Sequence, residues 1–188
     1  MVQLVTHLLL PSASELMQVS STPEIPDAQS AASPEGAWSR YAQLLFEVHF
    51  NQWDAEDDIR QTSLPDRRVV ELKRKIDNLN LQRSALIEKC DALAQMHART
   101  RENELRQPVH SESIGTLIDR LVIAHVRAVK LSSKVNPQAN EETLGASPHD
   151  QQMVLHAAYD CFRDELSRGS RWAIIWKQHK VYGAPDTK

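Results

Sequence analysis

Eight histidines and two cysteines are the residues best suited to metal chemistry in this 188-residue chain, and their spacing argues against it. Helical metal sites in hydrolases and di-iron bundles pair a histidine with a second histidine or an acid one turn away, as HExxH or ExxH. No histidine here lies three residues after Glu or Asp, and HExxH is absent. His156 and Asp160 are one turn apart, but a single pair of this kind reads more simply as a surface hydrogen bond. Cys90 and Cys161 have neither CxxC nor Cys/His spacing, so both are expected as buried, reduced thiols. No metal and no cofactor is expected.

Carboxylates offer the next chemistry. Glu56 with Asp57, Asp77, Glu112 and Asp119 could converge on magnesium, as in all-α nucleotide pyrophosphatases. The consecutive ExxE pattern of those enzymes is missing, and solvated acids are the simpler account. Five glycines supply no GxGxxG, Walker loop or GxSxG, which removes dinucleotide and P-loop folds. Nothing marks a serine as a nucleophile. More informative is the stripe Lys73, Asp77, Asn80 and Ser84, beside an apolar seam that Arg83 enters. A cation in such a seam must be paired or open to water, because an unpaired buried charge costs several kcal/mol. Asp119 or Glu112 could pair it, and Asp77, Asn80 and Arg120 could complete one polar cluster in a cleft that also receives Lys180 or Tyr182. An interhelical salt bridge that fixes register is the structural alternative.

The element that positions Arg83 is the run Asp66 to Arg106, which has no Pro or Gly. Val69, Leu72, Ile76, Leu79, Leu86 and Leu93 recur at threes and fours, the period of a helix face. Such a helix would be about 60 Å long, so a bend or frayed end is expected. Ser63 or Asp66 could cap it. Before it, Trp38, Tyr41, Leu44, Leu45 and Val48 predict a helix that leads into the acids Asp54, Glu56, Asp57 and Asp58. Acids at a helix C-terminus oppose its dipole, so either the helix stops short or the acids have cationic partners. A third helix starts near Ser111 and ends near Val135, and Asn136 to Pro148 reads as an exposed connection. A fourth spans Asp150 to Arg168, with Val154, Leu155, Ala158, Cys161, Phe162 and Leu166 on its apolar side and Gly169 as its C-cap. Trp172, Ile175, Trp176 and His179 fit a short final helix, or else an extended segment packed on the bundle.

The expected fold is all-α: an antiparallel bundle of four main helices plus a short C-terminal helix. Residues 37–188 form that bundle domain, after a flexible N-terminal extension over residues 1–36. The extension holds Pro11, Pro23, Pro26 and Pro34 among Ser, Thr, Ala and Gln, a composition that offers little burial to offset ordering entropy. Its deletion is expected to change stability by about 1 kcal/mol or less. A formal charge of -3 and a pI near 6.2 argue against a general nucleic-acid binder. No apolar run reaches the roughly 18 residues of a membrane span. Leu4 to Leu10 is too short for a signal peptide and has no basic residue before it, so a cytoplasmic location is expected.

Four ordered stretches resemble one family. They are HFNQWDAEDDIR (His49 to Arg60), ELKRKIDNLNLQRSALIEK (Glu71 to Lys89), SESIGTLIDRLVI (Ser111 to Ile123) and WKQHKVYGAPD (Trp176 to Asp186). They are similar to the motifs of the bacterial domain-of-unknown-function family numbered 4254, a set of helical proteins. Its pattern runs as Asn and Trp before a Glu-Asp pair, then KRxID with Asn and Arg, then an ET-P-G stretch into IDRLSIL, and a closing KxYxQFKMYNDP. By resemblance these become Asn51, Trp53, Glu56 and Asp57; Lys73, Arg74, Asp77, Asn80 and Arg83; Glu112, Gly115, Asp119 and Arg120; and Gln178, Lys180, Tyr182 and Pro185. The chain departs at Ser84-Ala85, where the family has Asn-Asp, and at Ser113-Ile114, where it has Thr-Pro.

The family's association with glycosyltransferase genes implies an accessory or binding role in lipopolysaccharide or other surface-polysaccharide synthesis, with a glycosyltransferase or another surface-glycan enzyme as partner. A binding module or metal-dependent enzyme for a phosphorylated or nucleotide-linked sugar is the alternative, with Lys73, Arg83, Arg120 and Lys180 as its cations. A structural bundle that assembles as a homo-oligomer is the third. A ligand site requires the motifs to meet at one open cleft. A purely structural role requires their charges to pair off and leave none.

Overall fold

Four long helices carry most of the chain in a computed structural model that describes residues 2–18, 34–61, 63–101, 108–132 and 147–176. They are α2 (Pro34–Ile59), α3 (Asp66–His97), α4 (Ile114–Ser132) and α5 (Pro148–Arg168), with a short α1 (Ala13–Leu16) ahead of them. The protein is mostly α. α2 lies along α3, and α4 packs against α2, α3 and α5.

The apolar period explains α3: Leu72, Ile76, Leu79, Leu86, Cys90, Leu93 and Ala94 are all buried. It starts after Pro65, whose backbone is extended and whose side chain makes no cap. Neither Ser63 nor Asp66 is its N-cap, although Asp66 sits in the first turn, where its charge suits the dipole. It stops at His97, short of Arg106, because residues 99–101 turn into a strand. α2 runs straight through its acids, since they have cationic partners. Arg60 reaches Asp57 at 3.2 Å and Glu56 at 3.7 Å, Arg68 reaches Asp58 at 3.8 Å, and Lys130 reaches Asp54.

α5 ends at the expected Gly169 C-cap, at φ 74°, and it begins at Pro148 behind a Ser147/Asp150 capping box. Its buried face differs from expectation. Gln152, Tyr159, Phe162 and Leu166 point inward, whereas Val154 is 69% exposed and Cys161 is also exposed. A helix with apolar residues on two sides can present either, and here the aromatics fill the larger space.

The expected helical fold is joined by one element that the sequence reading did not include. A four-stranded sheet is present, formed by β1 (Val2–Thr6), β2 (Arg99–Arg101), β3 (Val109–Ser113) and β4 (Trp172–Trp176) in the order β2-β1-β4-β3. β1 is antiparallel to β2 and β4, and β3 is parallel to β4. The expected C-terminal helix is therefore strand β4 over residues 172–176. Its β-branched and aromatic residues suit a pleated, half-buried surface. Trp172, Ala173 and Ile175 are buried.

The N-terminal segment is likewise corrected over residues 2–18. Val5, Leu8, Ala13 and Leu16 are at most 1% exposed, and they belong to the same core as Trp38, Leu45, Ile118 and Leu166. The physical reason is long range. β4 needs a partner on its free edge, and β1 supplies it from the other end of the chain. α1 is held in turn from α5, where Asp160 accepts from the Ala13 amide at 2.9 Å and Tyr159 donates to the Pro11 carbonyl at 3.2 Å.

Candidate functional site

The junction of α2, α3 and α4 is set by one glycine. Gly115 is the second residue of α4, and its amide donates to Asp91 Oδ1 on α3 at 2.7 Å. A β-carbon there would lie 2.3 Å from the Ile87 carbonyl oxygen, so only glycine lets the two helices come this close. The helices run antiparallel at this contact. One turn onward along α4, from Gly115 to Asp119, matches one turn back along α3, from Ile87 to Arg83. The glycine contact therefore sets the register that brings the carboxylate and the guanidinium together.

Asp119 is 1% exposed and accepts three hydrogen bonds. Arg83 Nε donates to Oδ1 at 2.9 Å and Nη2 to Oδ2 at 2.6 Å, while His49 Nε2 on α2 donates to Oδ1 at 2.8 Å. Burial pushes the carboxyl toward protonation, but the His49 and Arg83 hydrogen bonds and charges outweigh it and hold the group below the usual carboxylate range. The Arg83 guanidinium is raised by its bond to Asp119 against the opposing effect of burial. An ionised carboxylate only accepts, so the hydrogen in this contact is carried by His49 Nε2.

Above this pair lies an open cleft of about 240 Å³, lined by His49, Gln52, Trp53 and Glu56 of α2, Arg83 of α3, and Ile123 and Val126 of α4. The α2 residues fall at i, i+3, i+4 and i+7, one face of one helix. Two of them are locked by their neighbours one turn on. Trp53 Nε1 donates to Asp57 Oδ2 at 3.1 Å, and Gln52 Nε2 donates to Glu56 Oε1 at 3.0 Å. Gln52 Oε1 is buried and has no hydrogen-bond partner among the described residues.

Of the described residues expected around Arg83, Asp119 is the one hydrogen-bonded to it. Lys73 and Asp77 form their own exposed pair at 3.1 Å, and Glu112 pairs with Arg120. Asn80 does not line the cleft, and neither Glu112 nor Arg120 does. Asn51 donates to the Glu47 carbonyl at 2.8 Å and faces a second groove with Leu44, Leu79 and Lys89. Lys180 and Tyr182, with Gln178 and Pro185, lie outside the described residues. Among the described residues, no three His, Cys, Asp or Glu side chains are grouped to hold a metal.

His49, Gln52 and Asp91 are the functional or positioning residues that sequence reasoning missed. His49 and Gln52 had a visible signal, since they share a helix face with Trp53 and Glu56. Asp91 had none, because its partner is a backbone amide on another helix. Burial pushes Asp91 up to about 6, against the lowering bonds from the Gly115 amide and the Ser113 hydroxyl.

No curated protein and no solved structure matches this chain. A family model does match, over residues 39–172, a span that contains Gly115, Asp91 and the whole cleft. The chain belongs to the family described as Protein of unknown function (DUF4254).

Proposed function

We propose that this is a cytoplasmic accessory or binding protein of bacterial surface-polysaccharide or lipopolysaccharide synthesis, working beside a glycosyltransferase or a related surface-glycan enzyme. One observation carries the proposal: three of the four sequence stretches, through Trp53, Arg83 and Ile123, meet at one open cleft. A bundle with a structural role alone gains nothing from an open cleft over a bidentate interhelical ion pair. Among the described residues no helix is long and apolar enough to cross a membrane, as a cytoplasmic protein requires. The test is complementation of a gene deletion with the double variant Arg83→Leu, Asp119→Asn. Loss of surface glycan with normal protein levels is expected. Unchanged glycan from a stably folded double variant would reject the role of the site, and a pull-down that fails to retain the enzyme encoded beside the gene would reject the partner.

A second activity is favoured by the His49 and Asp119 pair: proton transfer on a phosphorylated or nucleotide-linked sugar. With its Nε2 hydrogen held by Asp119, the neutral imidazole of His49 would offer Nδ1 as the base. On this account His49→Gln abolishes turnover of such a sugar and leaves its binding intact. Equal loss of both would show that His49 only supports the cleft.

A further inference from the structure

We infer that the cleft between α2, α3 and α4 takes a single uncharged sugar ring, set against Trp53 and hydrogen-bonded through its hydroxyls to Glu56 and Gln52. The inference rests on reading that cleft as the binding site, and it names the class of ligand.

Charge is the first argument. Phosphate sites present an open guanidinium fork or a helix N-terminus. Here the Arg83 fork is occupied by Asp119, which cancels its charge, and the cleft lies along the C-terminal half of α2 and the middle of α4, away from either helix N-terminus. The remaining charge is negative: among the described residues the cation paired with Glu56 is Arg60 at 3.7 Å, and that arginine is 69% exposed. A phosphate would arrive against this carboxylate.

Size gives the second. A cleft of about 240 Å³ is below the roughly 300–1,000 Å³ of sites that enclose drug-sized ligands, so it suits one ring and not a nucleotide sugar.

The third is the match of surfaces. Trp53 is half-buried with its ring fixed by Asp57, and Ile123 and Val126 line the same space, so C–H faces of a sugar meet apolar groups. The polar side offers acceptors. Glu56 fixes the Gln52 amide through its nitrogen, which leaves Oε1 as a buried acceptor without a donor among the described residues. A hydroxyl supplies that donor, whereas a phosphate oxygen does not.

The experiment follows the indole N–H signal of Trp53 by NMR in the full chain, identified with Trp53→Phe. Methyl hexosides, the matching hexose 1-phosphates and a nucleotide sugar are the probes. Methyl hexosides should shift the signal with a Kd of about 1 mM, and the phosphorylated and nucleotide forms should bind no more tightly. Trp53→Ala should weaken binding ~10-fold or more, as expected for an aromatic anchor. Glu56→Gln, which disturbs the fold less, should weaken it several-fold. If hexose 1-phosphates bind ~10-fold tighter than methyl hexosides, the ligand class is wrong and the site stands. If no probe moves the Trp53 signal, the site itself is overturned.

Discussion

Arg83 grips Asp119 with two parallel hydrogen bonds, yet the two residues differ in exposure, 34% for the guanidinium against 1% for the carboxylate. The burden of the pair therefore falls on Asp119. Arg83→Leu alone should leave that buried carboxylate with His49 as its one partner and cost about 3 kcal/mol, the low end for breaking a buried pair. Adding Asp119→Asn should recover most of the loss. Urea melts of the single and double variants would measure both, and an undamaged single variant would show that His49 suffices. The same carboxylate makes a statement about acid. Its native pKa is depressed, so its stabilisation is present above the ordinary carboxylate range and is lost as pH falls through the native value.

Gly115→Ala should be destabilising, although Gly→Ala inside a helix is ordinarily favourable. The added carbon would meet the Ile87 carbonyl at 2.3 Å, and a backbone atom of a long helix cannot swing aside. A loss of about 1–3 kcal/mol is expected, the usual cost of overpacking. Because this contact sets the register of Asp119 against Arg83, the variant should also bind cleft ligands more weakly. A thermal midpoint equal to wild type would show that the helices can part freely.

Asp91 should make the protein more stable in mild acid. Its native pKa of about 6 is above the value of about 3.9 for an unfolded Asp, so between those limits the native state holds a proton that the unfolded chain has released. Stability from this group therefore falls as pH rises from about 4 to about 6, and is level above that. Asp91→Asn should flatten this slope, since the amide oxygen can still accept from Gly115. Urea midpoints at several pH values would test it. An unaltered slope in the variant would assign the effect to another group.

Residues 2–17 should be required for folding. Val5, Leu8 and Leu16 are each buried, and each such side chain contributes about 1.5–3 kcal/mol. Their joint loss approaches the 5–15 kcal/mol that stabilises a whole domain. A truncated chain beginning at residue 18 is expected to lose its cooperative thermal transition by circular dichroism. A midpoint within a few degrees of the full chain would restore the view of this segment as dispensable.

What the sequence reveals divides along the range of the interactions. Helices α2 to α5 are legible because their apolar residues repeat within one or two turns, and Arg83 is conspicuous because it interrupts such a repeat. Its pairing with Asp119 could be anticipated from the charge requirement alone. Glu112 met the same requirement, but it pairs with Arg120, as Asp77 does with Lys73. β1 and β4 are opaque in isolation: five residues give no decisive period, and their partners lie about 170 positions away. The prolines of the first 36 residues suggest disorder, and nothing local reveals that Val5 completes a sheet.

That sheet has a consequence for synthesis. Register pairs Val2 with Trp176 and Val5 with Ala173, so the strand made first waits for the strand made last. At about 5–20 residues per second the interval is roughly 10–30 s. Until β4 emerges, β1 has only β2 beside it in the sheet, and the nascent chain presents an incompletely covered Val5 and Leu8 to whatever chaperone stands at the tunnel exit. The helices can pair early, but the core closes only after release of residue 176 from the ribosome. Stalled chains ending before β4 should accordingly be cleaved readily within residues 2–17. Protection of that segment before β4 emerges would mean that it finds another shelter on the helices.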